Sequence, residues 1–108
     1  MSTYHKLVRD RILAIIEADG LAYNSCILLP EKHLLEIKKK LYEEVKDFEG
    51  VANEKDAIEE MMDILELLHV ALDIYSKSFA DLEAVRTQKK KKRGGFSKGL
   101  YLIDAEDK

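Results

Sequence analysis

The apolar positions of the chain fall into separate helical stripes. Within residues 4–20, Leu7, Ile12, Ile15 and Ile16 recur at helical spacing. The pattern stops at Gly20, which suits the left-handed position beyond a helix end, so a short first helix is expected here. Residues 21–29 show no such period, and Ile27, Leu28 and Leu29 run directly into Pro30, as a loop or extended stretch would. Pro30 in turn suits the first turn of a helix, where no amide donor is needed. Over residues 31–49 one stripe comprises Leu34, Ile37, Leu41, Val45 and Phe48, and Gly50 and Asn53 mark its end. A third helix is expected over residues 54–76, and its pattern is unusual. Ile58, Met61, Leu65, Leu68 and Leu72 make one apolar side, while Ile64, Leu67, Ala71 and Ile74 make a second. A helix that is apolar on two sides is expected to be covered on both, one of them by another subunit in so short a chain. The fourth expected helix, residues 78–92, has Ser78 as N-cap with Asp81 three residues on, a modest stripe of Phe79, Leu82 and Val85, and a stop at Gly94 and Gly95. Leu100, Tyr101, Leu102 and Ile103 then predict a short extended segment before a polar tail over about residues 104–108.

Composition adds bounds. The 108 residues, 46% of them hydrophobic, fit a single domain over residues 1–108. Charged residues make up 36% of the chain but balance to a net charge of -3, so a generic polyanion-binding protein is excluded, although basic residues gather near both ends. No apolar run approaches the roughly 18 residues of a membrane span, and the polar, basic amino terminus lacks the apolar stretch of a signal peptide. A soluble cytoplasmic protein with no membrane partner is therefore expected. The single cysteine, Cys26, sits in the apolar run CILL and reads as a buried structural thiol.

The chemistry-bearing pattern lies in the two middle helices. Glu44 and Asp47 in one, and Glu60 and Asp63 in the other, are carboxylate pairs three residues apart, so each pair projects from one side of its helix. Glu44 and Asp47 lie on the shoulder of their apolar stripe, whereas Glu43 points behind it, toward solvent or a supporting position. Glu60 and Asp63 belong to the second apolar side of their helix, with Ile64 and Leu67 as neighbours. If the helices pack side by side, four carboxylates converge, which is unfavourable without a cation. Oxygen-only ligands favour Mg²⁺, with Mn²⁺ as a possible substitute. His5, His33 and His69 form no zinc-ligand spacing, and His69 reads as a core histidine. There is no nucleophile elbow and no glycine-rich phosphate loop.

The sequence Glu43-Glu44-x-x-Asp47, twelve further residues, then Glu60-x-x-Asp63 resembles the acidic signature of the all-α nucleotide pyrophosphohydrolases, the MazG-like superfamily. KLVRDRI at residues 6–12, and Lys89 followed by Arg93-Gly94-Gly95-Phe96, are similar to its phosphoribosyl-ATP pyrophosphohydrolase-like branch. The resemblance spans nearly the whole chain. It implies an antiparallel helical bundle completed by homo-oligomerisation into a dimer or tetramer. It also implies Mg²⁺-dependent hydrolysis of a nucleoside triphosphate, or a related nucleotide, between the α and β phosphates. Carried over by position, Glu44, Asp47, Glu60 and Asp63 would hold metal, with Glu43 and Glu44 as the catalytic carboxylates and Glu43 orienting or deprotonating water. Lys6, Arg9, Lys89 and Arg93 would contact phosphate. Asp47 departs from the family's Glu and is one methylene shorter, which leaves direct and water-mediated ligation both open.

Other readings compete with these. Lys6, Arg9 and Arg11 around Asp10 also fit a solvated helix face with a local ion pair. The run from Lys89 to Arg93 also fits the negative end of a helix dipole. The whole chain could be a non-catalytic helical oligomerisation or regulatory module. Nucleic-acid binding through the basic run is weaker, for want of neighbouring aromatic residues.

Overall fold

Four helices form where the apolar periods fall: α1 (Ile12–Ala18), α2 (Pro30–Glu49), α3 (Glu54–Ile74) and α4 (Phe79–Arg93). The structure is a computed structural model that describes residues 2–107; positions 1 and 108, the ends of the expected domain and of its polar tail, lie outside the described residues. Among the described residues there is no strand, so the all-α expectation is met. No helix among them is long and apolar enough to cross a membrane. The chain divides into two compact units, one running up to Ser76 with α1, α2 and α3, the other from Lys77 onward with α4 and the C-terminal stretch.

In the first unit α1 is shorter than the sequence pattern suggests. It starts at Ile12, and its N-cap, Arg11, makes no capping hydrogen bond through its side chain. Lys6, Arg9 and Arg11 therefore precede the helix instead of forming its first turns. The charged residues 9–11 offer no apolar stripe to continue it backward, and a helix this short has little stability of its own. Gly20 follows in the left-handed region, with φ +74°. Residues 21–29 carry no regular structure, as expected. One expectation fails in this stretch: Cys26 is exposed, not buried, because no element lies over the irregular segment that carries it.

α2 begins with Pro30 in its first turn, after Leu29 in extended geometry. Only residues 50–53 separate it from α3, and a connection this short makes the two helices antiparallel neighbours. Asn53 caps α3, its Oδ1 accepting from the backbone N–H of Asp56 at 2.9 Å. α2 and α3 pack along each other, the most extensive helix–helix contact among the described residues. Ile37 lies within it, fully shielded from solvent, flanked by half-buried Leu34 and Leu41. The two apolar sides of α3 behave differently. Ile64, Leu67, Ala71 and Ile74 are half-buried, whereas Ile58, Met61, Leu65 and Leu68 are exposed, Ile58 at 56%. The side that bears Glu60 and Asp63 is thus the covered one.

In the second unit the expected cap is present and reciprocal. Ser78 Oγ accepts from the Asp81 N–H at 3.1 Å while Asp81 Oδ2 accepts from the Ser78 N–H at 2.8 Å. These bonds hold the Asp81 carboxyl below its ordinary range. Lys90, Lys91, Lys92 and Arg93 occupy the last turn, and Gly94 ends the helix at φ +82°. Residues 100–107 have neither helix nor strand, and Leu100, Tyr101, Leu102 and Ile103 are exposed.

Because Ile37 is the one fully buried apolar side chain among the described residues, its truncation should cost far more than any other in the stripe. Ile37→Ala is expected to lose about 2–5 kcal/mol in denaturant unfolding, and Ile37→Val about 1 kcal/mol.

Candidate metal centre

The antiparallel hairpin sets which carboxylates meet. Glu44 and Glu60 lie at about the same chain distance from the 50–53 connection, so they sit at about the same level on facing helices. Asp47 is one turn nearer the connection, and Asp63 is one turn farther from it. Each step of three residues moves a side chain about 4.5 Å along the axis, in opposite directions on the two helices. Asp47 and Asp63 thus stand one turn to either side of the facing pair, and it is Asp47 that joins it: carboxylate oxygens of Glu44, Asp47 and Glu60 all lie within 4.8 Å of one another. Glu44 and Glu60 are half-buried, and Asp47 is exposed at the edge.

Two features show that this trio is electrostatically unfinished. Glu60 Oε2 is shielded from solvent and has no hydrogen-bond partner, an arrangement that costs free energy as it stands. Burial also pushes the Glu44 carboxyl up to about 7, reinforced by a carboxyl–carboxyl hydrogen bond with Glu60 and by the negative charges of Asp63 and Glu60, with Lys40 opposing. The donor set is oxygen only, which suits a hard cation such as Mg²⁺ or Ca²⁺. The trio could therefore hold a metal ion.

Asp63, the fourth expected ligand, is engaged elsewhere. Its Oδ1 accepts a hydrogen bond from the Arg9 guanidinium, which also touches Met62 Sδ at 3.4 Å. Arg9, expected to contact phosphate, thus reaches the acidic site in this structure through Asp63. Glu43 is not one of the three; it pairs with Lys40 at 3.5 Å, its side chain more than half exposed. Lys6 is exposed, with Nζ 5.5 Å from the Tyr4 ring centroid. Lys89 and Arg93 belong to the second unit, where they share a shallow face of α4 with Val85, Gln88 and Lys92. His69 is half-buried on α3.

Sequence reasoning overlooked Lys40, which both pairs Glu43 and tempers Glu44. Its positions three and four residues before these acids were the available signal. The Arg9–Asp63 pair spans 54 positions and leaves no local signature. No family model matches the chain, and no curated protein or solved structure does either.

The raised Glu44 carboxyl sets a pH dependence for the metal-free protein. The folded chain retains a proton that the unfolded chain, titrating near 4.5, gives up. This contribution to stability is fully present below about 4.5 and is lost as pH rises toward about 7. After allowance for solvent screening the effect is on the order of 1 kcal/mol, a few degrees in Tm between about pH 5 and pH 8 with chelator present. Thermal melts of Glu44→Gln should show a flatter profile over that range.

Proposed function

We propose that the chain is a Mg²⁺-dependent nucleotide pyrophosphohydrolase that cleaves a nucleoside triphosphate, or a related nucleotide, between its α and β phosphates. The observation that carries this reading is the incomplete carboxylate trio of Glu44, Asp47 and Glu60, with one buried oxygen unpartnered. The resemblance of the acidic and flanking basic motifs to the MazG-like pyrophosphohydrolases supplies the reaction.

On this reading Glu44, Asp47 and Glu60 hold the cation, and Asp63, one turn from Glu60, adds negative charge and a further ligand. Mg²⁺, or Mn²⁺ in its place, supplies neutralisation of the phosphate oxygens and acidifies a water for attack. Glu43, next to Glu44 in the chain and held by Lys40 in this structure, is assigned by the resemblance alone to orienting that water or taking its proton. Asp47 stands at the edge, and its shorter side chain makes it the ligand most suited to act through water. Arg9 supplies positive charge beside the acids, and the resemblance alone extends phosphate contact to Lys6, Lys89 and Arg93. Monophosphate and pyrophosphate are the products.

A second reading, a helical self-association or regulatory module without catalysis, draws on the exposed side of α3 formed by Ile58, Met61, Leu65 and Leu68. The two are compatible in part, since we infer that this side is covered by a second copy in a homo-oligomer.

Purified protein incubated with Mg²⁺ and a panel of canonical, modified and phosphoribosyl nucleotides is expected to release pyrophosphate from at least one of them, with Glu60→Gln reducing the rate at least about a hundredfold. Release from none, with Glu60→Gln unchanged from the parent in every assay, would remove the enzymatic reading. Mg²⁺ or Mn²⁺ at about a hundredfold excess over Kd should add about 2.7 kcal/mol of stability, lost in Glu60→Gln. A pure association module would show no such metal-linked gain in thermal unfolding.

A further inference from the structure

We propose that Arg9 is a tethered competitor of the divalent cation, so that loading the acidic site and holding the Arg9–Asp63 ion pair oppose one another. The inference rests on the metal-binding reading above and adds a built-in antagonist to it. Arg9 crosses from the irregular segment ahead of α1 to α3, whereas the pairs Glu36–Lys39, Lys40–Glu43 and Glu83–Arg86 each span a single helical turn. Its contact is therefore made by tertiary placement and falls on the carboxylate next to the trio.

Asp63 lies on the same side of α3 as Glu60, one turn away, and the Arg9 guanidinium is also in the field of Glu66 and Glu44. One positive charge is thus supplied to this group of acids by the chain itself. A dication among Glu44, Asp47 and Glu60 would stand close to that guanidinium and repel it while drawing on the same carboxylates. Arg9 is free to yield: its side chain is 57% exposed, and the residues that carry it form no helix. Asp63, at 30%, is the more enclosed partner and stays with the site. Coupling of this kind is reciprocal, so the cation weakens the ion pair by the factor by which the pair weakens the cation. The guanidinium released by loading is then available to an anionic group arriving at the same place.

The test is calorimetric titration of the full chain with Mn²⁺ and with Mg²⁺, comparing the parent, Arg9→Gln, Asp63→Asn and the double variant, with Arg11→Gln as a charge control. Arg9→Gln is expected to tighten Mn²⁺ binding about threefold, the scale of an exposed ion pair, and to do so only while Asp63 is present. Arg11→Gln should leave affinity unchanged. In parallel, the Arg9 Nε–H resonance should shift and lose exchange protection at the same metal midpoint. Equal tightening in both Asp63 backgrounds, tightening by Arg11→Gln as well, or an Arg9 resonance indifferent to metal would each overturn the competitor role while leaving the metal site standing. Failure of the parent to bind either ion would instead remove the metal-binding reading and the competitor with it.

Discussion

Like charge gathered between two packed helices is the constraint on which the rest of this molecule depends. Glu44 and Glu60 face each other from α2 and α3, about two turns nearer the connection than the buried Ile37, with Asp47 and Asp63 a turn to either side. Repulsion and lost hydration both act against folding there. The protein answers with partial remedies: a proton retained on Glu44, Lys40 nearby on α2, and Arg9 brought in to Asp63. None of them reaches Glu60 Oε2, which stays shielded and unpartnered.

The neighbouring structure bears on how costly this arrangement is. The hairpin has little buried apolar surface to offset it, since Ile37 alone is fully enclosed among the described residues and much of one side of α3 is open. An electrostatically strained site in a thin core gives ligand binding a large share of control over stability. Carboxylates that are unfavourable in isolation are also the groups that could hold a cation, so on the proposed reading the cost of gathering them and the binding of a metal are linked.

Much of this was legible in the sequence. The stripe around Ile37, the proline start of α2, the break at Gly50 and Asn53 and the Ser78 cap are local signals, each set by residues within a turn or two of one another. The pairing of acids within each helix is equally local. What periodicity could not supply was the level at which the helices meet and the long-range partner: Asp47 and Asp63 stand one turn to either side of the facing pair, and Asp47 joins the trio while Asp63 is engaged by Arg9. The basic segment ahead of α1 misled because Leu7 extends the apolar period into residues that turn instead. Cys26 misled because an apolar stretch without an element to cover it remains at the surface. The proposed reaction rests on motif resemblance, since the spacing of the acids points to a group that could hold a cation and to no reaction.

The short connection at residues 50–53 has one more consequence. Because α2 and α3 are rigid on either side of it, the number of residues between Asp47 and Glu60 works as a ruler: one residue more or fewer would turn one acid pair by about 100° against the other and point it at solvent. The same four acids at a different separation would be ordinary surface charge. What distinguishes this hairpin is a count along the chain, preserved in the phase of two helices.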